Sequence, residues 1–139
     1  KTLVDQKQVA MQVSSFAFPL EDPGLAAIFA FPNVGGDIKE LDNAIDKEIA
    51  KVRNELISNQ EFQKLKNQFE TDIINSHTEV ADRAYNLALS YTFFENTNHI
   101  NEELDKYMAV TKEDIKEAAN KYFREDNRVV LYYLPKENE

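Results

Sequence analysis

All three glycines and three of the four prolines fall in the first 36 residues, and residues 37–127 contain neither. This partition constrains the fold more than any other feature. Turn and strand-end chemistry is confined to the front of the chain, and an uninterrupted stretch follows in which nothing breaks a helix. The opening apolar residues come in short runs, without helical spacing, which predicts a β-hairpin. Its first strand would cover residues 9–18 and its second residues 25–31, with Pro19, Asp22, Pro23 and Gly24 supplying the turn. The alternation loses phase at Ser14 and Ser15, where a bulge is expected. Pro32, Asn33, Gly35 and Gly36 then end the second strand.

From Asp37 the period becomes helical: Ile38, Leu41, Ile45, Ile49, Val52 and Leu56 recur at three or four residues with charges between them. Asp37 followed by Glu40 fits a capping box, and Ser58 followed by Glu61 fits a second, with Ile57 and Phe62 placed as a hydrophobic staple. The stripe Phe62, Leu65, Phe69, Ile73, Val80, Ala84, Leu87 and Tyr91 predicts one long helix, any kink falling between Asn75 and Thr78. Ile100, Leu104 and Tyr107 predict a short helix. Thr111 would cap a last one whose inward face is Ile115, Ala118 and Tyr122. The run RVVLYYL from Arg128 is dense in β-branched and aromatic residues and stops at Pro135, the signature of a buried strand. The predicted class is therefore α+β, an antiparallel sheet in the order β-β-α-α-α-α-β with helices on one face. Residues 1–36 form the hairpin, 37–127 the helical layer and 128–135 the returning strand of one domain.

At 139 residues and 42% hydrophobic, the chain has material for one ordinary domain. The net charge of -9, spread along the chain, argues against a nucleic-acid surface, which needs clustered cations. With no cysteine there can be no disulfide framework, zinc ribbon, iron–sulfur cluster or thiol nucleophile. No apolar run approaches the roughly 20 residues of a membrane span, and no signal-peptide pattern opens the chain. The compartment stays open, bacterial periplasm and cytoplasm included. Beginning with Lys1 rather than Met, the sequence reads as processed or excised from something longer.

Metal or general-base chemistry would have to use His77 or His99, the two histidines. His77 falls on the apolar stripe of the long helix; Glu79 and Asp82 are near it, but no second ligand lies four residues away, so a hydrogen-bonded structural histidine is expected. His99 with Glu102 and Glu103 reads H-x-x-E-E, one residue short of the H-x-x-E-H pattern in which two histidines hold zinc and a glutamate activates water. Paired glutamates are common on solvated helices, and an exposed helix face is the expected reading. Gly35 and Gly36 before a helix suggest a phosphate loop, but G-x-x-x-x-G-K is absent and Asp37 would place a negative charge where an anion sits. Tyr85, Tyr91, Tyr107 and Tyr122 fit helix positions that pack. No catalytic, metal or substrate-binding residue is assigned.

Longer stretches carry a resemblance. ELISNQEFQKLKNQFETD, then ADRAYNLALSYTFFENTNHINEELDKYMAVTKEDIKEAANKYFREDNRVVLYYLPK, resembles the closing half of a domain in the pitrilysin/insulinase family of zinc metallopeptidases. LVDQKQVAMQVSS is similar to the strand-leading segment written L-R-E-K-R-G-L-A-Y-S-V-S-S in that family. The resemblance implies repeated α+β domains, one active with H-x-x-E-H and a distal Glu, the other inactive and closing over the peptide. Having no H-x-x-E-H, this chain would be the later part of an inactive carboxyl-terminal domain. In many members that domain lends an Arg and a Tyr seven residues apart; Val4 and Met11 stand at those positions here.

The functional expectation is a noncatalytic segment of a zinc-dependent endopeptidase that forms part of the peptide-enclosing chamber and of the domain interface. No cofactor would be held by this chain; the zinc would sit in an active domain of the parent or partner. The alternative is an assembly module from a catalytically dead member paired with an active subunit. Three strands are few for four helices, so an open sheet edge is expected, with side chains such as Phe16, Phe29 or Tyr132 less covered, and self-association by strand-to-strand pairing or by packing of the uncovered sheet face.

Overall fold

The computed structural model describes residues 2–18, 24–76 and 78–134. Thr2–Gln6 forms one π-helical turn, closed by Lys7 N–H donating to the Thr2 carbonyl at 2.9 Å. Gln8 then takes a positive φ of 52°, and its carbonyl accepts from Asn33 Nδ2 at 2.5 Å, which ties the entry of the hairpin to its exit. Strands β1 (Ala10–Phe18) and β2 (Leu25–Pro32) pair antiparallel, within a residue of the sequence expectation. Their connecting turn, with Pro19, Asp22 and Pro23, lies outside the described residues. The bulge is at Met11, not at Ser14 and Ser15: the register steps from Ala10↔Pro32 to Gln12↔Phe31, and from Gln12 to Phe18 the pairing is regular. The two serines disturbed the apolar pattern without disturbing the backbone.

Pairing fixes which side chains share a face. Val13↔Ala30 points to the helices and joins Leu3, Ala10, Leu41 and Ala44 in the main core, together with Val4, Val9 and Ile45. Helix α1 (Ile38–Asn54) therefore docks on the hairpin through Leu41, Ala44 and Ile45. Asp37 caps it by accepting from Lys39 N–H at 2.8 Å.

Among the described residues five α-helices form where four were expected. The long stripe divides into α2 (Asn59–Ser76) and α3 (Val80–Phe94), with Thr78 N–H turned back onto the Asn75 carbonyl and Glu79 extended at ψ 136°. A continuous apolar stripe does not reveal a break when the period resumes in phase beyond it. Helices α4 (His99–Ala109) and α5 (Lys112–Tyr122) follow, and Thr111 with Asp114 completes a reciprocal capping box at the start of α5. Helix α4 packs on α2 and α3, while α5 packs on α1. The inward residue of α5 is Ala119, beside half-buried Ile115; Ala118 and Tyr122 face outward. The small side chain lets α5 approach the end of α1, where Lys116 Nζ and Asn120 Nδ2 donate to the Asn54 and Arg53 carbonyls at 2.8 and 2.7 Å. Those carbonyls would otherwise lack partners at the helix end.

The returning strand does not form. Among the described residues the sheet has two strands, and residues 128–134 lie beside α1 without a ladder. Arg128 makes a two-pronged ion pair with Asp46, and Tyr132 Oη donates to Asp42 at 2.7 Å. Exposure alternates along the run, with Val129, Leu131 and Tyr133 outward and Val130 and Tyr132 more covered, as in a strand without a neighbour. The architecture remains α+β, with the helices on one face of the hairpin.

Little of this is deeply buried. The accessible surface is 11483 Å² for 16.0 kDa, whereas a compact monomer of that mass has about 7,400 Å² and its unfolded chain about 23,000 Å². Folding thus hides about half of the unfolded surface, where a chain of this size ordinarily hides about 68–70%.

Candidate interaction face

The second face of the hairpin carries Phe18↔Leu25, Phe16↔Ala27, Ser14↔Phe29 and Gln12↔Phe31. Successive residues of a strand point to opposite faces, so this row is the one turned away from α1. The Phe16 ring lies 5.9 Å from Phe29, edge on, and 6.2 Å from Phe18, and all four phenylalanines are about half exposed. Aromatic residues that elsewhere would fill a core form an open sheet face here. A second apolar row is the outward side of residues 128–134, with Val129 96%, Leu131 87% and Tyr133 95% exposed. Single exposed apolar residues are ordinary, but contiguous rows mark contact surfaces.

The candidate catalytic residues do not converge. His77 lies outside the described residues. His99 opens α4 with its ring stacked on Phe94 at 3.9 Å and 8°, half-buried rather than on an open wet face. Glu102 accepts from Asn98 Nδ2 at 3.1 Å and lies 3.6 Å from Lys106; the Asn98 hydrogen bond leads in holding its carboxyl below the usual carboxylate range. Among the described residues, no three His, Asp or Glu side chains are grouped to hold a metal ion. Glu79 and Asp82 are exposed at the start of α3.

Gly35 takes φ 75°, and Gly36 N–H donates to the Asn33 carbonyl at 2.8 Å, so the pair forms a turn feeding the Asp37 cap. A Cβ at Gly36 would come within 2.9 Å of that carbonyl oxygen. Val4 packs against the main core and Met11 projects from the bulge, 61% exposed. Neither side chain has a group that could polarise a peptide carbonyl.

The four helix tyrosines expected to pack are open instead. Tyr85, Tyr91 and Tyr122 are more than half exposed; Tyr107 is less so and stacks on Phe69 at 5.2 Å. A shallow depression along α2 is lined by Gln60, Gln63, Lys64, Asn67, Gln68 and Thr71, all from one helix, and encloses nothing. Phe16 and Phe29 are uncovered, as expected of an incomplete sheet; Phe18, Leu25 and Phe31, which the sequence reading did not name, join them on one face once the strands are set in antiparallel register.

Three solved structures share this architecture. A protease from Helicobacter pylori is 22% identical, with a TM-score of 0.77 over 90% of this chain and 30% of its own. A candidate zinc protease from Bordetella pertussis Tohama I is 20% identical, TM-score 0.76, over 94% of this chain and 71% of its own. The inactive peptidase domain of a candidate zinc protease from Bordetella parapertussis is also 20% identical, TM-score 0.78, over 96% of this chain and 71% of its own. No family model and no curated protein matches the chain. The chain has a zinc-protease-like fold, and it spans less than a third of the Helicobacter protein's length.

Proposed function

We propose that the chain is a noncatalytic segment of a zinc-dependent endopeptidase of the pitrilysin/insulinase type, contributing to the wall of the peptide-enclosing chamber and to the domain interface. One observation carries the reading: an inactive peptidase domain superposes on 96% of the chain. One further feature is consistent with it: the outward side chains of residues 128–134 form an extended apolar row suited to a neighbouring domain. In this reading the zinc and its water-activating glutamate belong to a homologous active domain in the same parent or in a partner subunit, and this chain shapes the space in which the peptide lies.

The test is reconstitution. An H-x-x-E-H domain encoded in the same or an adjacent reading frame is purified with and without this chain and assayed on a quenched fluorescent peptide. The expected result is no cleavage by the chain alone, cleavage by the mixture, and loss of that cleavage on zinc chelation. If the chain binds such a domain without changing its cleavage rate, it is an assembly module. If no such domain is encoded nearby and none binds, the peptidase reading fails.

A further inference from the structure

The outer face of the hairpin has a composition and a relief that select its occupant. Residues 9–34 hold just two charged side chains, Glu21 and Asp22, although the whole chain carries -9. Two copies meeting through this face would oppose uncharged surfaces, with no like charges brought together. The relief also fits a copy of itself. Bulky side chains occupy β2 at Phe29 and Phe31 and β1 at Phe16 and Phe18, leaving lower ground at Ser14 on one strand and Ala27 on the other. Knobs and hollows thus lie diagonally across the pair, and a copy rotated by a two-fold axis can seat its Phe16 and Phe29 over those hollows.

The area suffices as well. Phe16, Phe18, Leu25, Phe29 and Phe31 are 45–61% exposed, which at 150–250 Å² per large side chain is about 100 Å² each and about 500 Å² per copy. Two such faces bury about 1,000 Å², the size at which specific interfaces begin. Sheets stack face to face about 10 Å apart, which leaves room for interdigitated phenylalanines.

We infer that the chain self-associates as a two-fold dimer by packing these outer hairpin faces together. The inference goes beyond the peptidase reading and is independent of it, since reconstitution can fail while the dimer forms, and the reverse.

Ser14 lies in the middle of the outer face and Ser15, its neighbour, on the opposite face. Ser14→Lys should therefore weaken self-association at least about tenfold, and Ser15→Lys should leave it within about twofold. Sedimentation equilibrium on the unmodified chain should show a monomer–dimer equilibrium. Phe29→Lys should weaken it by at least about tenfold, as expected for a central aromatic contact, with its circular dichroism unchanged.

Equal effects of Ser14→Lys and Ser15→Lys in folded variants, or a larger effect of Ser15→Lys, overturn the inference whatever Phe29→Lys does. So does a chain that stays monomeric through high micromolar concentration. Association that survives Phe29→Lys in a folded variant places the contact elsewhere, on a strand edge or on residues 128–134, and overturns it too.

Discussion

Leu41 is 4% exposed and joins α1 to both Leu3 and the hairpin, so Leu41→Ala tests whether this small core holds the two layers together. The change removes about three methylene equivalents, worth about 2.4 kcal/mol of transfer free energy at about 0.8 kcal/mol each. A rigid site would add a cavity penalty. Here the surrounding Val4, Val9, Val13, Ala30 and Ile45 are partly buried and can close in, so the penalty should be near its minimum and the total about 2.5–3 kcal/mol. Leu56 continues the same apolar stripe but is 45% exposed, and Leu56→Ala should cost less than half as much. Urea denaturation followed by circular dichroism is the assay, at one fixed concentration because association would itself stabilise the folded state. Leu41→Ala should lower the midpoint by about 1–2 M with little change in slope. A loss below about 1 kcal/mol, or equal losses for the two variants, would mean that the hairpin does not rely on α1, and the packing argument would fail.

Thr111→Ala should cost about 1 kcal/mol by removing the hydroxyl that accepts from Asp114 N–H at 3.1 Å, and Thr111→Ser should keep most of it; thermal melts decide. Arg128→Gln should change global stability by less than about 1 kcal/mol in the same melts, because both partners of the Asp46 pair are more than a third exposed. The hydrogen bond to Asp42 holds the Tyr132 phenol above its ordinary value. A raised folded value gives stabilisation that is complete below the unfolded value of about 10 and lost as pH rises through the folded one. Ultraviolet titration should therefore show a late-ionising tyrosine that Asp42→Ala brings back to the ordinary range. Calorimetric titration of the chain with zinc should find no stoichiometric site; a one-to-one site abolished by His99→Ala or Glu103→Ala would refute the reading of that near-motif.

The elements were legible where local chemistry decides them. Glycine and proline placement located the hairpin to within a residue, and the Asp37, Ser58 and Thr111 caps marked where α1, α2 and α5 begin. Legibility fell where the outcome depends on a distant neighbour. The division between α2 and α3 falls at the Asn75 to Thr78 stretch where a kink was expected, but the apolar stripe did not show that it is a full break; the inward face of α5 turned on whether Ala118 or Ala119 meets α1, which three-residue spacing does not settle. Side-chain pattern described RVVLYYL as a strand, and its alternating exposure agrees, but a ladder also needs a second backbone, and none among the described residues pairs with it.

The same distinction separates the candidate sites. The H-x-x-E-E near-motif was visible as letters, and its fate was set by contacts that letters do not show: Phe94 under the His99 ring, Asn98 and Lys106 on Glu102. The hairpin's outer row was legible only in part. Phe16 and Phe29 were expected to be less covered, but the members lie on two strands and become one surface only in the register that runs from Gln12↔Phe31 to Phe18↔Leu25. A pairing shifted by one residue on β2 would set Ile28 opposite Ser14 and Ala30 opposite Gln12, and Phe29 would no longer share a face with Phe16. The observed 5.9 Å contact between Phe16 and Phe29 therefore ties the surface to the register. Since about half of the unfolded surface stays accessible, the aromatic row and the outward side chains of residues 128–134 are apolar surface that the packing of the described elements leaves uncovered.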